Sequence, residues 1–247
     1  MRLAVIADVH GNAAALSAVL ADLDDLGITE VVNLGDHLSG PLDAATTADL
    51  LMQRAFHEIR GNHDRALVET APAEMGASDR VAHDQLDGHH MEWLRSLPPT
   101  RLLWEDVFLC HGTPTSDVSY WLERVEPDGA IRPARRDEIQ AELGDIPASL
   151  FLCAHTHIPR IVQTRCGRTI LNPGSVGCPG YDDDRPVFHE MQTGTPNASY
   201  AIVEKGPEGW SATFRSLPYA WQPMAELAAS RGRAEWSRAL STGWVQA

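Results

Sequence analysis

At 247 residues with 43% hydrophobic side chains, the chain is long enough to bury the core of one large α/β domain, and a single domain over 1–247 is the expectation. Its formal net charge of −14 repels a phosphate polymer at long range, which argues against a nucleic-acid polymer as partner. No apolar run approaches the roughly 20 residues of a bilayer span, and "MRLAVIADVHG" meets an Asp and a His too early for a signal peptide, so the chain reads as soluble, cytoplasmic and without a membrane partner.

In chain order, "LAVIADVHG" is a buried-strand pattern, followed by Leu16, Val19, Leu20, Leu23 and Leu26 at helical spacing and closed by Gly27. "VVNLGD" predicts a second strand, "AATTADLLMQRA" a helix, and "FHEIRGNHD" a third strand. "ASDRVAHDQLDGHHMEWLRSLP" reads as helical up to Pro98. "VFLCHG" and "SLFLCAHTH" are further strands, with a short helix at "DEIQAELG" between them. "RIVQTRCGRTILNPGSV" predicts a hairpin turning at Cys166 and Gly167, and "SYAIVE" and "WSATFRSL" give late strands. "CPGYDDDRPVFHEMQTGTPNA", rich in Pro, Gly and Asp, reads as a long surface loop. The Ala-rich end predicts a helical extension over about 222–241. Four scattered cysteines do not make a disulfide framework, and Cys110 and Cys153 end apolar runs as small buried thiols do.

Polar residues gather where these strands end. Asp8 and His10 follow the first strand, Asp36 the second, Asn62 and His63 the third, His111 the next, and His155 and His157 the one after. The ends of successive strands in an α/β sheet converge on one edge, so these side chains can meet. A mixed set of imidazole and carboxylate donors suits Zn, Mn or Fe better than Ca. Each element alone is weak, because a lone His at a strand end is more often a hydrogen-bonded surface residue; the order of all five is specific.

"DVHGN", "GD", "GNHD", "HG" after an apolar strand, and "HTH", in that order, resemble the five signature blocks of the calcineurin-like metallophosphoesterase family, and "LNPGSVG" resembles a segment of its small bacterial members. The resemblance implies a four-layer α/β/β/α sandwich with a dinuclear metal site at the strand ends. Carried over by position, Asp8, His10 and His157 would hold one metal and Asn62, His111 and His155 the other, with Asp36 bridging. His63 would handle substrate without binding metal, and Asp64 would orient His63. The chain departs from the family pattern at Cys110 and Ala154, where Gly is usual, and at His37, which either reaches the site from behind a ligand or, as the more ordinary case, is a loop histidine facing solvent.

The implied chemistry is hydrolysis of a phosphate ester. Two divalent or trivalent transition-metal ions, Mn, Fe or Zn, lower the pKa of a shared water, and the resulting hydroxide attacks phosphorus while His63 protonates the departing alkoxide. A small phosphodiester or nucleotide is the expected substrate; phosphomonoesters, phosphoproteins and diadenosine polyphosphates are alternatives. Tyr120 and Trp121 can stack on a nucleobase and Arg135 or Arg136 can hold a further phosphate, against the ordinary alternative of core packing and a solvated helix start. The segment between His111 and His155 is expected to form a lid or a wall of the cleft. A protein-binding scaffold of the same fold is the competing reading from another class, and a complete set of ligand positions argues against it.

Overall fold

In the computed structural model, which describes residues 1–246, the first sheet grows from β1 (Arg2–Ile6), β2 (Val31–Asn33) and β3 (His57–Glu58). These three run parallel, joined by α1 (Ala13–Asp25) and α2 (Ala44–Met52). Asn12 caps α1, its Oδ1 accepting from Ala15 N at 3.0 Å, which explains an Asn directly after the glycine of "DVHGN". The helical stretch α3 (Asn62–Glu69), α4 (Ala77–His83) and α5 (Gly88–Ser96) follows. The continuous helix predicted before Pro98 is broken between α4 and α5, because Asp87 accepts hydrogen bonds from the backbones of His89 and His90 and so starts a new helix.

The second sheet contains β4 (Arg101–Leu103), β5 (Val107–Leu109), β8 (Leu150–Leu152), β9 (Arg160–Gln163) and β10 (Thr169–Asn172). Its order is β4-β5-β8-β10-β9, with β5, β8 and β10 parallel and both edges antiparallel. Between β5 and β8 lie the ribbon of β6 (Glu123–Val125) and β7 (Ile131–Pro133), and α6 (Arg136–Ala141). The segment expected as a surface loop is instead a second ribbon, β11 (Gly180–Asp183) with β12 (His189–Gln192). It buries Cys178, His189 and Met191 despite its polar composition. Then β13 (Ala198–Gly206) and β14 (Gly209–Leu217) complete the first sheet in the order β14-β13-β1-β2-β3, and α7 (Gln222–Ser230) and α8 (Ala234–Thr242) close the described chain.

Side-chain alternation assigns the layers. Leu3 and Val5 of β1, with Ala201 and Val203 of β13, meet Leu109, Leu150 and Leu171 of the other sheet in one buried cluster, so the two sheets stack face to face. Ala4 and Ile6 point the other way, onto Leu16, Val19 and Leu23 of α1. Phe108 and Phe151 on the outer face of the second sheet pack with Trp121, Ile139 of α6 and Leu143. The result is the α/β/β/α order. Each fully buried Leu, Val or Phe here contributes about 1.5–3 kcal/mol by leaving water, so the facing sheets supply a large share of the fold's hydrophobic stabilisation. No helix among the described residues is long and apolar enough to cross a membrane.

The candidate metal centre

The parallel strands of both sheets end on the same edge, and the loops that leave them carry the polar residues singled out above. Asp8 and His10 follow β1, Asp36 follows β2, His111 follows β5, and His155 and His157 follow β8. Asn62, His63 and Asp64 stand in the first turn of α3 and not on a strand, because β3 stops at Glu58. One ligand atom each from Asp8, His10 and His157 lies within 4.8 Å of the others, and the same holds for Asp36, His111 and His155.

Backbone geometry brings them inward. Asp8, His10, Asp36, His155 and His157 all have positive φ, between 50° and 71°, in the left-handed region that non-glycine residues seldom occupy. Each such residue costs on the order of 1 kcal/mol or more, and such strain concentrates at functional sites. The loops are tied to one another: Asp8 N donates to Gly35 O and His10 N to Asp36 O, both at 3.0 Å. Ser175 and Gly177 of "LNPGSVG" brace the first loop by donating to Asp8 O, and Asn172 braces the last by donating to Ala154 O at 2.8 Å. The glycine of "GNHD" is required by contact, since a Cβ on Gly61 would fall 2.2 Å from Asp36 Oδ1. At Cys110 and Ala154, where glycine was the expectation, both residues are buried and accommodated.

The imidazoles are set to present Nε2 to the cluster. Nδ1 of His10, His111 and His157 donates to the carbonyls of Ser39, Leu34 and Cys178, at 2.7, 2.8 and 2.7 Å. A carbonyl can only accept, so in the neutral ring it is Nε2 that carries the lone pair. His10 Nε2 and His157 Nε2 then face each other at 3.3 Å, a contact that needs a proton or a cation between them. Asn62 Oδ1 is buried without any hydrogen-bond partner, while Asp8 Oδ1 and His111 Nε2, equally buried, face only other donors of the cluster, His157 Nε2 at 3.4 Å and Asp36 Oδ2 at 3.2 Å. Buried polar atoms are seldom so poorly satisfied, and these three stand where a cation would take them. The donor set, four imidazoles, two carboxylates and one amide, fits two transition-metal ions.

Charge tells the same story. Burial alone would push both carboxylates up, yet Asp8 is lowered by His157 and His111, and Asp36 falls well below the usual range under His111 and His63. Burial opposes protonation of His111, but Asp36 at 3.2 Å lifts it to about 9, and Asp8 at 3.4 Å raises His157 well above its ordinary value. His10, buried and next to His157, drops to about 4, and His155, buried beside His111, to about 3. Two carboxylates thus recruit protons onto two imidazoles; cations in the same place would displace those protons.

His63 lies at the rim, its side chain 37% exposed. Its Nδ1 is 2.8 Å from Asp79 Oδ1 and 3.3 Å from Ser39 Oγ. Burial works against its charge, but Asp36 and Asp79 outweigh it and lift His63 to about 9. The carboxylate that touches the His63 imidazole is therefore Asp79 on α4 and not Asp64. Asp64 is fully buried and turns back over the start of its own helix, accepting from Gly61 N at 2.9 Å, Asp36 N at 2.7 Å and His37 N at 3.0 Å. It also holds His37 Nδ1 at 2.7 Å. His37, expected to face solvent, is completely buried between Asp64 and Glu58, and these carboxylates raise it against the opposing effect of burial. Asp64 and His37 fix the loop that carries Asp36.

The aromatic and basic expectations divide. Tyr120 reaches the site: its ring lies 5.1 Å from His155, and its hydroxyl meets the Tyr181 hydroxyl at 2.8 Å and His189 Nε2 at 2.9 Å. Trp121 does not, being 1% exposed with Nε1 donating to Ile139 O, because the next position along the chain points into the outer core. Arg135 and Arg136 stand at the start of α6, with Arg135 paired to Glu138 at 2.9 Å, and neither lines a cleft at the donor cluster. The 111–155 segment forms a wall, through Val118, Tyr120 and Arg124. Two side chains not foreseen also face the cluster, Arg233 and Trp236, from the C-terminal helical hairpin.

With this geometry in view, the chain belongs to the calcineurin-like phosphoesterase superfamily, whose profile matches residues 1–196. A solved metallophosphoesterase of Sphaerobacter thermophilus superimposes over 99% of each chain with a TM-score of 0.74 and 24% identity. A hypothetical protein of Pyrococcus horikoshii does so over 98% of each chain with a TM-score of 0.76 and 19% identity, so both share the four-layer fold. An uncharacterized protein of Methanocaldococcus jannaschii is 25% identical over 216 residues, 82% of each chain.

Proposed function

We propose that this phosphoesterase works with two transition-metal ions, Mn, Fe or Zn, on small phosphodiesters, and that residues 1–247 act as one domain in the cytoplasm. Asp8, His10 and His157 take one ion, Asn62, His111 and His155 the other, and Asp36 both. The convergence of buried donor atoms that face chiefly one another, beside His63, carries this reading. The ions, when bound, activate water as the nucleophile at neutral pH and neutralise the phosphoryl oxygens. The protein's own residues do the rest. Backbone carbonyls hold three imidazoles in the tautomer that offers Nε2. Asp64 and His37 hold the Asp36 loop. His63, kept protonated by Asp36 and Asp79, delivers its proton to the departing oxygen.

A diester is favoured over a monoester by the shape of the site. Two clefts meet at Asn62, His63 and His155, one of about 300 Å³ beside Trp236 and one of about 670 Å³ beside Tyr120. A phosphoryl group at their junction has room for an ester arm on each side. The purified protein should contain two transition-metal ions per chain, and chelation should abolish hydrolysis of bis(p-nitrophenyl) phosphate. Activity undiminished after exhaustive chelation would overturn the proposal.

Asp79→Asn tests the acid. Asp79 raises the pKa of His63, so its loss lowers that pKa and the proton leaves at lower pH. The basic limb of the kcat profile on an alkyl ester should move to lower pH. A profile that does not move would assign the orientation of His63 elsewhere.

A further inference from the structure

The C-terminal hairpin lies beyond residues 1–196, yet it builds one wall of the smaller cleft. Arg233, which precedes α8, has its guanidinium held on two sides: Nε donates to Glu235 Oε1 at 2.5 Å and Nη1 to Ser78 Oγ at 3.0 Å. Among the described residues Nη2 has no partner, and the side chain remains 23% exposed. A guanidinium fixed in this way with a free edge is preorganised, so an acceptor that meets it loses little binding energy to ordering. Three residues on, Trp236 is anchored in the hairpin core by Leu42, Ala225 and Leu240. Its ring lies 5.9 Å from that of His10, at 70°. An aromatic surface and a fixed donor thus stand together next to the donor cluster.

Charge selects what fits. Glu235 balances Arg233, Asp79 pairs with His63, and Asp182 and Asp183 line the same cleft, so no unbalanced positive side chain there meets a second phosphate. A neutral arm with a flat ring, hydroxyls and N–H groups suits an indole, one free guanidinium edge and a carboxylate rim. At about 300 Å³ the cleft is at the small end of ligand sites, the size for one such unit. Building on the phosphodiesterase reading above, we infer that Arg233 and Trp236 form a nucleoside subsite, which holds the retained arm of the diester while the departing arm lies in the cleft of Tyr120 and Arg124.

The test uses the metal-loaded full chain with p-nitrophenyl thymidine 5′-phosphate and methyl p-nitrophenyl phosphate, which share a leaving group and differ in the retained arm. The expected kcat/KM is at least tenfold higher for the thymidine ester. Arg233→Gln and Trp236→Leu should each cut that ratio at least fivefold, through KM. A ratio equal in parent and variants overturns the subsite and leaves the phosphodiesterase reading standing. Hydrolysis of neither ester removes that reading and the subsite with it. If Trp236→Leu fails to fold, Arg233→Gln at its part-exposed position decides the matter with a second readout: calorimetric affinity for thymidine 5′-monophosphate should weaken about tenfold, and unchanged affinity overturns the subsite.

Discussion

Asp36→Asn should abolish both metal binding and turnover, with a larger loss than any other single change in the donor set. Its carboxylate faces His111 at 3.2 Å and His10 at 3.9 Å, and its Oδ1 accepts from the backbone of His63 at 2.9 Å. The charge is therefore available to both halves of the site, and an amide of the same shape removes that charge and turns one of the two accepting oxygens into a donor. Outer-shell partners of metal ligands typically cost about 10–100-fold when lost, and a shared ligand should exceed that range. Metal analysis and turnover of bis(p-nitrophenyl) phosphate check it together. An Asp36→Asn protein that retained two ions and most of its activity would move the bridging role to another residue.

His63→Ala should separate chemistry from coordination. The hydrogen bond from residue 63 to Asp36 comes from the backbone N–H, which the alanine variant keeps, so that variant should keep two ions per chain. Turnover should fall by about 10²–10⁴, the usual size of a general-acid contribution. The loss should be smaller on a nitrophenyl ester, whose leaving group departs without a proton, than on an alkyl or ribose ester. Loss of an ion, or equal impairment on good and poor leaving groups, would deny His63 this role. His155→Ala should instead lose metal and activity together on every substrate.

Much of this site was legible in the sequence because parallel strands deliver their exits to one edge, so a polar residue after each apolar run has a forecast position. Six of the donor candidates stand together there in two groups of three, and Asn62 and His63 line the adjoining cleft. The partner of His63 was not legible. Asp64 was carried over by position from the family's "GNHD" block, but residues 63 and 64 open a helix and point in different directions. A carboxylate three residues after an N-cap tends to fold back on the cap, and that spacing between Gly61 and Asp64 was the available signal. Asp79, sixteen residues on and in a separate helix, carried none. His37 was misjudged for a related reason: a histidine after a strand looks like a loop residue until the carboxylates that pay for its burial, Asp64 and Glu58, are known. The ribbon of β11 and β12 was hidden by its Pro, Gly and Asp content, because propensity does not register tertiary packing of Cys178, His189 and Met191.

The left-handed backbone at Asp8, His10, Asp36, His155 and His157 restricts these positions twice over. Coordination chemistry admits His, Asp and few others, while φ near +55° independently shuts out Val, Ile and Thr and favours Gly or Asn. A lineage that abandoned catalysis and kept the fold would be free of the first restriction but not the second. Drift at these five places would then run toward glycine and asparagine, relaxing the backbone as the chemistry disappeared, so a decayed descendant of this site could be recognised by its small residues alone.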